Sequence, residues 1–239
     1  MIGERLEKLT WDSHWLGLPV ARYVAGPHTP GPALTAAIAH GRATGTRLLY
    51  LVLPPGNAPA AAAARAAGAW LADEKRTYQL RLPAATALRS LPPYLELTTA
   101  TGCTPQLRDL ARQSGEFSRF RHDARIGPLH FEQLYDQWLR QALTHGIVWT
   151  VAAGNELLGL LAFGVRGGQA SIELLAVAPA ARRQHLGQAL VSAAVQEAQR
   201  RGHTTLQVVT QGANEPAWRF YERCGFGLRR TEHIYHLWL

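Results

Sequence analysis

Few features of this 239-residue chain point to a metal or a membrane. There are two cysteines, Cys103 and Cys224, too few for a structural zinc site and spaced like no metal motif, so no metal is expected. No apolar run approaches the roughly 18 residues that a membrane span needs. The opening Met1-Ile-Gly-Glu-Arg-Leu-Glu-Lys8 is acidic where a leader would be cationic and then apolar. A cytoplasmic location and no membrane partner are therefore expected. Charged residues make up only 18% of the chain and apolar residues 47%, a globular rather than a disordered balance. The length allows one large or two small domains. Negative charge is the scarcer sign: 17 Asp and Glu stand against 25 Lys and Arg, for a net charge of +8. The arginines are scattered, with no long basic block, so nucleic acid is not the expected partner. Nucleotide-type cofactors and substrates account for the same charge.

What the chain does have is organised around one stretch. Ser171-Ile-Glu-Leu-Leu-Ala-Val-Ala-Pro179 is an apolar run broken by a single charge, Glu173, and reads as a buried strand that Pro179 ends. Ala180-Ala-Arg-Arg-Gln-His-Leu-Gly187 follows, small and basic, and an amphipathic helix is expected from Leu186 to Arg201. A strand passing through a tight basic turn into a helix presents backbone N–H groups and the positive end of the helix dipole, a site for a pyrophosphate. A second stretch, Asn214-Glu-Pro-Ala-Trp-Arg-Phe-Tyr221-Glu-Arg-Cys-Gly225-Phe226, reads as a helix capped by Asn214 with Pro216 in its first turn. Ala217, Phe220, Tyr221 and Cys224 share one face of it, and Cys224 is expected to be packed there.

These two stretches, in this order, resemble the coenzyme A loop and the last helix of the GCN5-related N-acetyltransferases. The resemblance implies acetyl-CoA as co-substrate, with Arg182, Arg183, Gln184, His185, Leu186, Gly187 and Gln188 around the pyrophosphate. His185 stands where a glycine is usual, a position at which histidine tolerates positive φ better than most residues. The backbone of Leu175, Ala176 and Val177 would hold the pantetheine arm and polarise the thioester carbonyl, and Asn214 would bind the same arm. Tyr221 would face the sulfur as general acid. Glu173, a lone carboxylate beside that site, is the candidate base for the incoming amine.

The chain order fits the same family: strand 95–98, helix 104–113, a second helix bearing Phe131, Leu134, Trp138 and Leu139, then strands 147–153, 157–165 and 169–178. The long helix, strand 204–209, the Asn214 helix and a last strand complete it. The expected fold is α/β, a mixed, mostly antiparallel sheet flanked by helices, in a domain over 94–239. Proline-rich Pro83–Pro93 is the expected boundary from a smaller α/β domain over 1–90. That smaller domain reads as a degenerate half-copy. Shifting the numbering by 157 places Leu49 on Leu206, Asn57 on Asn214, Pro59 on Pro216, Gly68 on Gly225 and Tyr78 on Tyr235, without gaps. Ala64 falls on Tyr221, so the first copy should not be catalytic.

A narrower resemblance, to bacterial TDP-fucosamine acetyltransferases, rests on Leu9-Thr-Trp11, Ser118-Arg-Phe120 with Tyr135-Asp-Gln-Trp138, and Thr204 to Gln211. It implies the amine of a nucleotide-linked amino sugar as acceptor, for surface polysaccharide, with Arg119 and Arg121 as candidate clamps on the diphosphate. It also makes a homodimer the expected assembly. The Trp-rich opening is expected to serve aromatic packing at a domain edge. Another amine (an antibiotic, a polyamine or a protein N-terminus) and a non-catalytic acyl-CoA-binding module are the alternative readings. A basic cleft between the domains would favour the sugar nucleotide, and an acidic one a cationic amine.

Overall fold

The computed structural model describes residues 6–82, 91–92 and 94–239. The N-terminal half runs β1 (Leu6–Lys8), α1 (Thr10–Leu16), β2 (Val20–Val24), α2 (Gly31–Ala43), β3 (Leu48–Leu53), α3 (Ala58–Ala66) and β4 (Trp70–Arg81). The C-terminal half runs β5 (Glu96–Thr99), α4 (Pro105–Ser114), α5 (Arg119–His122), α6 (Gly127–His145), β6 (Ile147–Ala153), β7 (Glu156–Arg166) and β8 (Gln169–Val177). It closes with a 3-10 turn (Pro179–Ala181), α7 (Leu186–Arg200), β9 (Thr205–Gln211), α8 (Glu215–Arg223) and β10 (Gly227–Trp238). The short α1 and α5 lie where the sequence suggests no helix. The expected boundary at 83–93 lies, save for Leu91 and Pro92, outside the described residues, as does the start of the chain before Leu6. Among the described residues no helix is long and apolar enough to cross a membrane.

All ten strands join one sheet in the order β1-β2-β3-β10-β4-β9-β8-β7-β6-β5. Among the described residues only β2/β3 and β8/β9 pair in parallel. The centre of the sheet exchanges strands between the halves: β10 pairs with β3, and β4 pairs with β9. The shift of 157 residues that relates the two halves in sequence holds in three dimensions. It carries the ends of α3 onto those of α8 and the ends of β4 onto those of β10. Asn57 accepts from Ala60 N at 3.0 Å and Asn214 from Ala217 N at 3.2 Å, so both helices start on the same cap. Gly68 and Gly225 both leave their helices at positive φ, 91° and 88°, where a side chain would be strained. Register repeats as well, Leu53 facing His233 as Thr210 faces Arg76.

Strand alternation sorts the side chains. In β3, Leu49, Leu51 and Leu53 pack with Ile38, Ala60 and Ala64 of α2 and α3, while Leu48 and Tyr50 join the core of Phe120, Phe131, Leu134 and Tyr135 on α5 and α6. A bulge in β8 leaves Glu173 between the pairs Ile172↔Phe163 and Leu174↔Ala162. Even-numbered residues therefore change sides there. Ala170 and Ile172 pack beneath α7, whereas Leu174 and Ala176 pack beneath α4 and α6.

Candidate active site

The bulge opens the sheet. β8 and β9 stay paired only over 170–172 and 206–208, and the backbone beyond Glu173 borders a groove of about 910 Å³. Leu175, Ala176 and Val177 form one wall, with Arg182, Arg183, His185, Leu186, Gly187 and Gln188 along the other and Asn214, Ala217, Phe220 and Tyr221 facing them. Gln184, exposed, reaches Ala180 O with its side chain at 3.4 Å.

The turn adopts the shape that the glycine-type position requires. Arg183 and His185 both have positive φ, 63° and 61°. His185 caps α7 with its backbone, and its exposed ring contacts Gln188 Oε1 through Nδ1 at 2.9 Å. The ring is thereby tied along its own helix. Leu186 and Ala181, 1% and 3% exposed, anchor the turn from below, and the first N–H groups of α7, free of intrahelical partners, complete it. An added Cβ on Gly187 would lie 3.1 Å from Phe220 Cζ, so this residue sets how closely α7 and α8 approach. Among the described residues Arg182, Arg183, Arg219 and Arg223 border the groove against one carboxylate, Glu116. The donor set suits a polyphosphate with an apolar arm, as coenzyme A requires.

A second cavity, of about 570 Å³, meets this groove at Ser114, Leu175, Asn214, Ala217 and Tyr221. Tyr221 is 5% exposed, and burial, followed by Cys224 nearby, raises its pKa, so the phenol keeps its proton at neutral pH. Cys224, just past the end of α8, is itself partly buried, and burial raises its thiol to about 11. Asn214 uses its carbonyl oxygen for the cap and lines both spaces.

The floor of the second cavity comes from both halves: Tyr50 and Val52 of β3, Asp73 and Lys75 of β4, Glu232 and Ile234 of β10, Val209 to Gln211 of β9, and Glu173. Trp11 and Asp12 of α1, Arg119 of α5, and Tyr135 and Trp138 of α6 form the roof. The Trp-rich opening is thus aromatic packing, Trp11 stacking on Trp138 at 6.4 Å, and also a cavity wall. Four carboxylates (Asp12, Asp73, Glu173, Glu232) meet four cations (Arg22, Lys75, Arg119, Arg166) among the described residues, so the cleft is neither basic nor acidic.

Most of these charges are paired. Arg166 Nε donates to Glu173 Oε1 at 2.5 Å, Lys75 lies 3.2 Å from Glu232, and Arg22 lies 2.6 Å from Glu7. Gly164 makes room for Glu173, since an added Cβ would stand 2.7 Å from Oε1. Arg119 differs: Nη1 meets His236 Nε2 at 2.7 Å, and its guanidinium lies over Tyr50 at 3.9 Å and Phe120 at 4.2 Å. Burial raises Asp73 to about 7 against the pull of Arg119 and Lys75, and burial also raises Asp12 against Arg119.

The structure therefore gathers Tyr221, Glu173, Asn214, Leu175 and Arg119 around one junction and its cavity. Arg121 is exposed, lies over Phe131 at 5.3 Å and borders neither space. Asp12, Tyr50, Asp73 and His236 escape the sequence reading, and Tyr135 enters it only within the Tyr135-Asp-Gln-Trp138 stretch. The one trace of Asp73 and His236 is a polar run in the strand that carries each, Asp73 to Thr77 and Arg229 to His233.

The acetyltransferase (GNAT) family model matches residues 106–226. The spore coat polysaccharide biosynthesis protein SpsD of Bacillus subtilis (strain 168) is 27% identical over 150 residues, 62% of this chain and 52% of that protein, so the match spans about half the length of this curated relative. Among solved structures, a tandem GNAT protein from the clavulanic acid biosynthesis pathway superposes with a TM-score of 0.60 at 17% identity, covering 93% of this chain and 76% of its own. A GCN5-related N-acetyltransferase from Sphaerobacter thermophilus gives 0.65 at 12%, covering 98% and 76%. One from Kribbella flavida gives 0.62 at 15%, covering 99% and 88%. These likenesses concern the fold. With the family model covering half the sequence, including the basic turn and the Asn214 helix, the chain belongs to the acetyltransferase (GNAT) family.

Proposed function

We propose that the protein transfers the acetyl group of acetyl-CoA to the amine of a nucleotide-linked amino sugar. The observation that carries this reading is the junction at Tyr221, where a groove suited to coenzyme A opens into a separate, polar cavity large enough for a second substrate. The name of the relative in spore coat polysaccharide biosynthesis supports a sugar acceptor, and the aromatic pair Trp11 and Trp138 offers flat surfaces to a sugar or base.

Acetyl-CoA, when bound, supplies the acetyl group as an activated thioester. The chain's own residues do the rest. N–H groups from Arg183 to Gln188 take the pyrophosphate, helped by the flanking arginines. The backbone edge at Leu175 to Val177 that β9 leaves open, where Arg182 Nε donates to Val177 O, holds the pantetheine arm and polarises the carbonyl, and the Asn214 amide secures the arm from the opposite side. Tyr221, held neutral by burial, keeps a proton where a thiolate leaves. Glu173, ion-paired to Arg166, accepts a hydrogen bond from the amine. Asp73 takes the amine's proton, because a carboxyl near 7 is half ionised at neutral pH. Arg119 receives the diphosphate.

A thiol-release assay with acetyl-CoA and candidate acceptors tests the reading. Turnover with a TDP-linked 4-amino-4,6-dideoxy sugar, and far less with an aminoglycoside or spermidine, is expected. Preference for a polycationic amine would overturn it.

A further inference from the structure

Of the four cations on the wall of the acceptor cavity, three are neutralised by carboxylates within 3.2 Å. Arg119 is ion-paired to none among the described residues, although Asp12 and Asp73 lie in its field. It is held by an imidazole instead. Behind that imidazole stands Asp123, which accepts from Arg125 N at 3.0 Å, from Trp238 Nε1 at 3.0 Å and from His236 at 2.6 Å. A carboxylate only accepts and a guanidinium only donates. The proton of His236 is therefore on Nδ1, facing Asp123, and its Nε2 lone pair faces Arg119.

His236 is fully buried, and burial, with Arg119 nearby, lowers it to about 4, so the ring is neutral. Asp123 is lowered despite its burial, by the hydrogen bonds from His236 and Trp238. A carboxylate in place of His236 would fix Arg119 and cancel its charge. A neutral imidazole fixes it and leaves the charge available. The two rings of Tyr50 and Phe120 set the guanidinium plane. Beside it, the buried Tyr50 Oη borders the cavity without a well-formed hydrogen bond, between the Asp12 carboxylate and the Arg119 guanidinium. A buried hydroxyl beside a cation that no carboxylate pairs directly presents two donors to an incoming acceptor.

We propose that Asp123 and His236 are positioning residues that hold Arg119, with Tyr50, as a preorganised site for a phosphate oxygen of the acceptor. The inference rests on reading this cavity as the acceptor site, and it places the anionic part of the acceptor under α5, at the end of the cavity built by β3 and β10. Strand exchange makes it possible: His236 reaches Tyr50, its partner across the β10–β3 pairing, only because β10 inserts there.

Two substitutions separate positioning from folding. His236→Asn keeps a donor for Asp123 and loses the contact to Arg119, whereas His236→Gln places an acceptor where Nε2 stood. Binding of thymidine 5′-diphosphate, measured by calorimetry with the coenzyme A groove saturated by CoA, should weaken about tenfold in the Asn variant and recover in the Gln variant. In turnover, the Asn variant should raise KM for a nucleotide-linked amino sugar by a similar factor. Its kcat, its KM for acetyl-CoA and its rate on the phosphate-free methyl glycoside should stay within about twofold. Equal diphosphate binding by wild type and the Asn variant, or no diphosphate binding by wild type, would overturn the inference. So would equal loss on both acceptors. Diphosphate binding that depends on His236 without turnover of the nucleotide-linked sugar would retain this site and remove the proposed reaction.

Discussion

Lys75 and Glu232, 157 positions apart in sequence, face each other across the β4–β10 pairing with Nζ 3.2 Å from Oε2. They are the same position in the two halves of the chain, so the pseudo-twofold axis passes between them. Every feature of the pairing repeats about this point. The bulge that skips Ala72 opposite Ile234 and Tyr235 has its image in the one that skips Arg229 opposite Tyr78 and Thr77. Because Lys75 and Glu232 both border the acceptor cavity, that cavity sits on the axis, and each half supplies part of its floor.

The symmetry breaks where chemistry would occur, and this predicts the binding stoichiometry. In the C-terminal half the strand bulges at Glu173 and leaves its parallel neighbour. In the N-terminal half β2 stays paired through Val24↔Val52, and Ala25 N continues the ladder to Val52 O at 2.9 Å. The Asn57 amide, the counterpart of Asn214, is spent on Gly26 O and Thr29 O at 3.0 and 3.1 Å. Calorimetric titration with acetyl-CoA should therefore saturate at one molecule per chain. Two would mean that the first groove still opens.

Tyr221→Phe keeps the ring that packs against Phe220 and Phe226 and removes only the hydroxyl. The expected result is a fall in kcat of about a hundredfold or more, with KM for acetyl-CoA little changed and the melting temperature preserved. Steady-state kinetics and a thermal scan check it, and unchanged turnover would remove the acid role.

His185→Gly tests whether the histidine crowds the pyrophosphate. Its ring is tied to Gln188, and its φ of 61° is the left-handed region in which glycine is unstrained. Affinity for acetyl-CoA should stay within about twofold and stability should rise by at most about 1 kcal/mol, relief of left-handed strain being offset by the added freedom of the unfolded chain. A large gain in affinity would mean that the side chain obstructs the turn.

The parts of the site carried by local sequence were legible. Turn and helix chemistry lie within a few residues of each other, so Arg182 to Gln188 and Asn214 to Tyr221 could be read directly, and the shift of 157 residues aligned two pairs of elements to the residue. The acceptor side was not legible, because it depends on pairings between distant segments. β4 and β10 each carry a run of five polar residues, Asp73 to Thr77 and Arg229 to His233, and nothing local indicates that each strand crosses into the other half. Asp123 and His236, 113 residues apart, look like ordinary polar positions until β10 inserts beside β3. Arg119 and Arg121 show the same limit: two arginines of one short helix, of which the fold turns one into the cavity and the other outward.

Asp73 carries the pH prediction. Its carboxyl borders the cavity between Lys75 and Glu74 on its own strand, with Arg119 of α5 and Tyr135 of α6 facing it and Ile234 opposite on β10. Burial raises it from 3.8 to about 7, and Arg119 and Lys75 only partly oppose that. A base works when ionised, so kcat/KM should fall about tenfold per pH unit below 7, and Asp73→Asn should lower the rate and flatten that limb. Glu173→Gln should lower the rate while leaving the limb in place. Stability moves the opposite way. The folded chain holds this proton between pH 4 and 7 and the unfolded chain does not, so wild-type stability declines as pH rises through that window. Asp73→Asn should therefore melt several degrees higher than wild type at pH 8, with the difference shrinking as the pH is lowered toward 4. A variant that loses activity, keeps the acidic limb and gains no stability at pH 8 would show that Asp73 is neither the base nor a strained buried carboxyl.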